Sequence, residues 1–277
     1  MLMKSKTKTE RESQMLKRAE LVLPQGTLGN LPYETIISHG KGSHIWDESG
    51  NEYVDYLLGS GPMIVGHAHP KVTEAVLSQI DNGTTFFATN EKAISLAEEI
   101  VNAVPCAEKV RFCSTGSEAT LYAMRTARAF RGRDKILKFE GGFHGMNDYA
   151  LMSMSPSKSL EYPQAESDSA GIPASIASEM LIAPFNNLDI TTAIIETHQD
   201  ELAGVIVEPF QRLIPPREGF LEGLREITEH YEIPLIFDEV VTGFRFAYGG
   251  AQEYYGVKPD ICTLGKAIAG GFPLTAV

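Results

Sequence analysis

Cysteine, positive charge and long apolar runs are all scarce in this sequence. Its three cysteines among 277 residues lack the paired spacing of zinc sites and leave an odd count for disulfides, which favours a reducing compartment. A formal net charge of −12 argues against a nucleic-acid surface, which needs a basic stripe. No apolar run reaches the length of a membrane span, and the first residues, MLMKSKTKTERESQ, include glutamates but no apolar centre. These absences predict a cytoplasmic protein with neither a nucleic-acid nor a membrane partner.

The residues that are present predict a small N-terminal segment and a larger α/β domain. Residues 9–23 have apolar side chains at helical spacing, and GKGSHIWDESGNEYVDYL predicts a β-hairpin that turns at residues 49–51. From about Glu108 onward, hydrophobic strands alternate with helices, which is typical of a mostly parallel sheet with flanking helices. We therefore expect one domain at residues 1–58 and another at residues 59–277.

Two later stretches give less regular signals. Residues 148–183 are rich in Ser, Pro and Gly, which predicts a long mobile loop. The strand at Ile261–Leu264 is followed only by GKAIAGGFPLTAV, which leaves that edge of the sheet without a predicted neighbour. We therefore expect the chain to be a fragment of a longer protein.

Two charged residues follow consecutive hydrophobic strands of the predicted sheet. IPLIFDE reaches Asp238, and DICTLGK places Lys266 in the turn after the next strand, about one strand–helix–strand unit later. Ligands of open α/β sheets bind at this carboxyl edge. A lysine there can form a Schiff base with pyridoxal 5′-phosphate (PLP), and an aspartate can keep the pyridinium nitrogen protonated. Small residues beside Lys266, such as Gly265 and Gly270, would let a flat ring approach.

Each of these two residues also has a plainer interpretation. Lys266 could be a solvated lysine at the start of a helix, and Asp238 could cap the turn that follows its strand. Apolar residues followed by Asp-Glu also resemble a Walker B strand. That ATPase interpretation requires a GxxxxGK[ST] loop, which the sequence lacks.

A strand–turn–helix stretch predicts an anion site. KVRFC leads into STGSEA and a long helix, so Thr115, Gly116 and Ser117 would present backbone N–H groups and hydroxyls at a helix N-terminus. The alternative is that Thr115 or Ser117 only caps the helix. With a phosphate-bearing cofactor, this turn would be the phosphate site.

Further candidate residues follow two other strands. Phe143 and His144, in FEGGFHG, come after a strand: the aromatic ring would stack on the cofactor or lie in the core, and the histidine would act near the cofactor or hold the turn. Glu208, in AGVIVEPF, reaches the same edge and needs a partner if buried. His67 and His69 have the spacing of metal ligands, but no third ligand is evident, which favours a structural role.

Taken together and in this order, six stretches resemble the class III (ω-type) aminotransferases, PLP-dependent enzymes of fold type I. The closest branch is similar to the glutamate-1-semialdehyde 2,1-aminomutases. The six stretches are HIWDESGNEYVDYL, GPMIVGHAHPKV, VRFCSTGSEATLYAMRTARAFRGRDKILKFEGGFHG, GVIVEPF, FDEVVTGFR and DICTLGKAIAGGFPL.

The resemblance implies roles for particular residues. Lys266 would be the cofactor-linked lysine and Asp238 the partner of the pyridinium nitrogen. Val240 would pack on the ring face opposite Phe143, and Asn186 would lie near the cofactor hydroxyl. By the same resemblance the phosphate would be held by Thr115, Gly116 and Ser117.

The sequence departs from the aminomutase branch at two substrate positions. Aminomutases have an arginine that binds the substrate carboxylate. The corresponding loop here, PQGTLGNLP, contains no arginine, and the aligned position is near Pro32. Aminomutases also have a tryptophan where Ser60 and Gly61 stand in this sequence. The resemblance therefore favours an aminotransferase for an amine or amino acid and a keto acid or aldehyde. The aminomutase and a non-catalytic PLP-fold fragment remain alternatives. The family also implies a homodimer and a C-terminal domain beyond residue 277.

Overall fold

The structure, a computed structural model, describes residues 7–28, 34–157 and 161–277. The chain divides into two compact units, Met1–Thr85 and Phe86–Val277. The domain boundary expected after residue 58 stays a prediction. Pro32 lies outside the described residues, so the departure noted near it has no structural account.

The first unit contains, among its described residues, two α-helices and a three-stranded antiparallel sheet. They are α1 (Glu10–Val22), β1 (Ile37–Lys41), β2 (His44–Asp47), β3 (Glu52–Val54) and α2 (Pro70–Ile80). Thr9 begins α1, because its side chain accepts a hydrogen bond from the backbone N–H of Glu12. The helix and the hairpin expected from the sequence are confirmed. The hairpin is β2–β3, and β1 pairs with β2 as an additional strand.

The second unit is built on a seven-stranded sheet with helices between its strands. Its elements are α3 (Glu91–Ala103), β4 (Phe112–Cys113), α4 (Gly116–Arg131), β5 (Lys135–Phe139), β6 (Met180–Ala183), α5 (Leu188–His198), β7 (Leu202–Val207), α6 (Phe220–His230), β8 (Leu235–Glu239), α7 (Gly250–Tyr255), β9 (Ile261–Leu264) and β10 (Thr275–Ala276). The strand order is β4-β10-β9-β8-β7-β5-β6. Pairing is parallel from β9 to β6 and antiparallel on both sides of β10, which confirms the predicted mostly parallel α/β fold.

Both faces of this sheet are buried. Alternate residues of β8 belong to different apolar clusters: Leu235 and Phe237 pack with α5 and α6, whereas Ile236 packs with α4. A strand covered on both sides has no polar face, so it reads as a continuous apolar run. Functional groups can therefore emerge only where the strands end.

Helix α4 begins and ends with strong capping signals. Thr115 and Glu118 form a capping box, in which each side chain accepts a hydrogen bond from the other residue's backbone N–H. Gly132 ends the helix in the left-handed conformation. Helix α4 is the longest α-helix among the described residues. None of the described helices is long and apolar enough to cross a bilayer.

Two expectations about the sheet are wrong. Residues 148–183 do not form one loop throughout, because Ala174–Glu179 is a 3-10 helix and β6 is the sheet's edge strand beside β5. Four apolar residues, MLIA, are too short a run to stand out in sequence, yet all four are buried. The edge beside β9 is also covered, because β10 lies between β9 and β4.

Candidate active site

Asp238 is a buried carboxylate at the carboxyl end of β8. Its Oδ1 accepts hydrogen bonds from Thr263 Oγ1 (3.0 Å) and from the backbone N–H of Val240 (3.2 Å). Its Oδ2 lies 2.8 Å from His144 Nδ1. When the carboxylate is ionised it only accepts hydrogen bonds, and His144 then donates to it from Nδ1. Because a carboxylate has about four acceptor positions, Asp238 keeps one for a further donor.

Two other buried polar atoms near Asp238 have no partner within the described residues. They are His144 Nε2 and Gln211 Oε1. A Cβ atom built on Gly142 would lie 3.1 Å from the first and 3.4 Å from the second, so both atoms adjoin Gly142. Unsatisfied buried polar atoms are uncommon in folded proteins and mark a place where a polar group is accommodated.

Lys266 begins a short 3-10 helix directly after β9. Its backbone is in the left-handed region, with φ of 45°, which is unfavourable for a residue with a side chain. The side chain is half-buried, and no hydrogen bond or ion pair reaches Nζ from any residue that the structure describes. Burial lowers the pKa of this ammonium group, while the charges of Asp238 and Glu208 oppose that shift. A lowered pKa increases the share of neutral, nucleophilic amine.

The predicted anion site lies at the N-terminus of α4. The Thr115 hydroxyl is engaged in the capping box, as its plainer interpretation predicts, and the Glu118 carboxylate accepts hydrogen bonds from the N–H groups of Ser114 and Thr115. The Ser117 hydroxyl accepts a hydrogen bond from Met146 N–H. The N–H groups of the first helical residues have no acceptor within a helix, so Gly116 and Ser117 can still donate to an anion.

Val240 connects this helix terminus to Lys266. A Cβ atom added to Gly116 would lie 3.4 Å from Val240 Cγ1, and one added to Gly265 would lie 3.1 Å from the same atom. The absence of side chains at these two glycines therefore lets α4, Val240 and the Lys266 turn come close together. Gly265, one of the small residues beside the lysine, permits this approach, whereas the approach of a flat ring stays a prediction.

Phe143 and Glu208 meet at the ends of β5 and β7. The backbone N–H of Phe143 donates to Glu208 Oε2 at 2.9 Å, and burial raises the pKa of that carboxyl group. The Phe143 ring is only half-buried, and the Arg212 guanidinium carbon lies 4.8 Å from its centroid. One side of the ring is thus taken by a cation.

Asn186 has a different environment from the other predicted residues. Its side chain donates to Pro215 O (2.9 Å) and accepts from Arg217 N–H (2.8 Å), and its own backbone has a φ of 64°. Both ends of the amide therefore hold the loop before α6. No hydrogen bond within the described residues joins Asn186 to the Asp238 cluster, and its predicted place near the cofactor hydroxyl stays a prediction.

The two histidines with metal-like spacing are used differently. His67 Nε2 pairs with Asp55 Oδ2 at 2.7 Å, and His69 precedes α2. Across residues 7–28, 34–157 and 161–277, no group of three or more potential metal-binding side chains occurs.

Comparison with known proteins identifies the family. The family model for aminotransferase class-III matches residues 28–277. This chain belongs to the class III aminotransferases. It is 46% identical over 249 residues to a glutamate-1-semialdehyde 2,1-aminomutase from Methanococcus maripaludis strain C5. The matched region covers 89% of this chain and 58% of that relative.

Solved structures of transaminases show the same fold. An omega-transaminase from Sphaerobacter thermophilus matches with a TM-score of 0.92 and 40% identity, covering 96% of this chain and 63% of the other. A transaminase with PLP bound matches with a TM-score of 0.91 and 32% identity, covering 98% and 64%. The predicted family and fold class are confirmed, and the chain spans less than two thirds of the length of these relatives.

Four residues that bear on this class III site were not predicted from the sequence. Thr263 lies opposite Asp238 in the β8–β9 register, a pairing that sequence does not reveal. Lys138 stands out only as a charge inside the strand KILKF. Gln211 and Arg212 follow Glu208 closely, and polar residues just after a buried strand were the available signal for both.

Proposed function

We propose that this chain contains the cofactor-binding part of an aminotransferase that moves an amino group from an amine or amino acid to a keto acid or aldehyde. The observation that supports this best is that Asp238 and Lys266 lie at the carboxyl ends of two adjacent parallel strands, Asp238 within β8 and Lys266 just after β9. The cofactor is pyridoxal 5′-phosphate, as class III membership and the PLP-bearing structural relative indicate.

The residues of the site fit this cofactor. Asp238 has an unused acceptor position for a pyridinium N–H, and the free N–H groups at the start of α4 suit a phosphate. Lys266 Nζ, without any hydrogen-bond acceptor among the described residues, is available for covalent attachment to an aldehyde. Val240 and Phe143 would hold the ring between them. When bound, PLP supplies an electron sink for the substrate carbon.

In this proposal each charged residue has one task. Asp238 would accept a hydrogen bond from the ring nitrogen, and His144 and Thr263 orient the carboxylate through their own hydrogen bonds to it. Lys266 Nζ would hold the cofactor and, when it is not attached to it, would accept a proton from the substrate carbon and donate it again at a second carbon. Its lowered pKa favours this role because only a neutral amine accepts a proton.

Borohydride reduction tests the proposal directly. The full-length protein is loaded with PLP, reduced and digested, and the modified peptide is found by mass spectrometry. We expect the pyridoxyl group on Lys266, with Lys138 as an internal control that stays unmodified because it is fully buried. A label on a different lysine, or no label, contradicts the proposal.

The second candidate function is the aminomutase, an isomerase, and the identity to the Methanococcus relative favours it. The two functions separate in one assay, in which glutamate 1-semialdehyde is supplied without any keto acid. Conversion under those conditions supports the aminomutase, whereas a strict requirement for an amino acceptor supports the aminotransferase. A homodimer and a cytoplasmic location stay predictions.

A further inference from the structure

The connection between β7 and α6 carries two exposed arginines in different surroundings. Arg212 packs its guanidinium on the Phe143 ring, and its Nε donates to Gly141 O at 3.3 Å. Arg217 is also exposed, and its backbone N–H bonds to Asn186. Within the described part of the chain, the Arg212 side chain contacts the turn after β5, and no such contact occurs for the Arg217 side chain.

The backbone beside Arg212 is anchored. The preceding residue, Gln211, is buried and donates from Nε2 to Glu140 O at 2.7 Å, and its carbonyl accepts from Ile214 N–H at 2.8 Å. Arg212 itself has a φ of 57°, a conformation that a residue with a side chain adopts only when its surroundings enforce it. The side chain is therefore presented at a defined position.

The charge of Arg212 acts on two groups of the candidate active site. Burial lowers the pKa of Lys266, and the nearby charges of Arg245 and Arg212 lower it further. Burial raises the pKa of Glu208, and Arg212 acts in the opposite direction. Among the described residues, no carboxylate forms an ion pair with Arg212.

The guanidinium retains most of its hydrogen-bonding capacity. Of the five N–H groups of an arginine, the Nε–H is engaged by Gly141 O, and the four on the Nη atoms have no acceptor among the residues that the structure describes. Their planar fork matches the two oxygens of a carboxylate. The Phe143 ring supports one face of the guanidinium and reduces the side-chain freedom that binding would otherwise remove.

We propose that Arg212 binds the carboxylate of the substrate, so that the site selects carboxylate-bearing amines over simple amines. This inference rests on the proposed aminotransferase function. It assigns Arg212 a role in specificity and none in proton transfer, which remains with Lys266.

The test compares Arg212→Gln with Arg217→Gln, a matched change of an exposed arginine in the same connection. Amino donors are used in pairs that differ by one carboxylate: β-alanine with ethylamine, and 4-aminobutyrate with propylamine. We expect the ratio of kcat/KM for amino acid over amine to fall roughly 10- to 100-fold in Arg212→Gln, the effect of losing hydrogen bonds to a charged group. The ratio is expected to hold in Arg217→Gln, and Arg212→Lys is expected to recover part of it.

A binding measurement avoids dependence on turnover. The dissociation constant of butyrate, a carboxylate without an amino group, is measured by ligand-observed NMR on the PLP-loaded protein. We expect Arg212→Gln to weaken butyrate binding about 10-fold or more and Arg217→Gln to leave it within about 2-fold. Unchanged butyrate binding and an unchanged donor ratio in Arg212→Gln, in a protein labelled at Lys266, overturn the inference alone. Absence of the label overturns the proposed function, and the inference with it.

Discussion

Two lysines in the same sheet meet opposite surroundings. Lys138, in β5, is fully buried, and its Nζ donates hydrogen bonds to the carbonyl oxygens of Gly142 (3.1 Å), Ala150 (2.8 Å) and Met152 (2.6 Å). Lys266, after β9, is half-buried, and no described residue accepts a hydrogen bond from it. Burial lowers the pKa of both ammonium groups, to about 8 for Lys138.

The difference shows that a lowered pKa alone does not mark a reactive lysine. Lys138 is held by three acceptors and closed off from solvent, so its charge organises the turn that carries Phe143 and His144. Lys266 has a backbone in the left-handed region, and its Nζ has no hydrogen-bond partner among the described residues, which supports the proposal that its amine reacts. The solvent accessibility of the ammonium group and its hydrogen bonds, taken together, distinguish a structural lysine from a candidate catalytic lysine.

The largest expected effect comes from replacing Lys266. Lys266→Met should lower kcat roughly 100- to 10,000-fold, because the proposed proton carrier is lost. The free energy of unfolding, measured in urea without cofactor, should change by less than about 1 kcal/mol, because Nζ has no hydrogen bond to lose. A variant that keeps near-normal turnover, or that unfolds easily, would contradict the assignment of Lys266.

Replacing the structural lysine should give the reverse result. Lys138→Met leaves three buried carbonyl groups without a donor, and we expect a loss of about 2–4 kcal/mol in the free energy of unfolding. Lys138→Gln keeps an N–H₂ group and should lose less. Equilibrium urea denaturation of both variants measures the effect, and a Lys138→Met protein as stable as the wild type would remove the basis of the comparison.

Of these two lysines, only Lys266 could be predicted from the sequence. Lys266 and Asp238 were predicted because each follows an apolar strand, and strand ends meet at one edge of a parallel sheet. Lys138 was not, because a lysine inside KILKF gives no indication of acceptors that come from residues up to fourteen positions later. The strand β6 was missed for a related reason: its burial depends on β5 beside it, and four apolar letters carry no periodicity.

The charge of Lys138 also predicts a dependence of stability on pH. Its pKa is about 8 in the folded protein and 10.5 in the unfolded chain, so between these values the unfolded chain binds more protons and stability rises with pH. The unfolding free energy of the wild type relative to Lys138→Met should therefore increase by about 1.4 kcal/mol per pH unit from pH 8 to pH 10. Below pH 8 both states bind the proton, and the difference should become constant. Urea denaturation at pH 7, 8.5 and 9.5 measures this, and a flat difference would show that folding does not lower the pKa of Lys138.

The smallest expected effect concerns two threonines that each donate to one of two adjacent carboxylates on β8. Thr263 Oγ1 donates to Asp238 at 3.0 Å, on the side of Lys266, and Thr242 Oγ1 donates to Glu239 at 2.9 Å. Replacement by valine keeps the shape and removes one hydrogen bond, which is worth about 1 kcal/mol. We expect Thr263→Val to weaken PLP binding about 5-fold in a spectroscopic titration, since Asp238 loses a donor that fixes its orientation.

Thr242→Val is the matched control. It should leave PLP affinity unchanged and lower only the free energy of unfolding. The reason is that the Glu239 carboxylate also accepts a hydrogen bond from Gln252 Nε2, and neither residue belongs to the proposed site. Equal shifts in PLP affinity for the two variants would contradict the assignment of Asp238 to the cofactor site and of Glu239 to the fold.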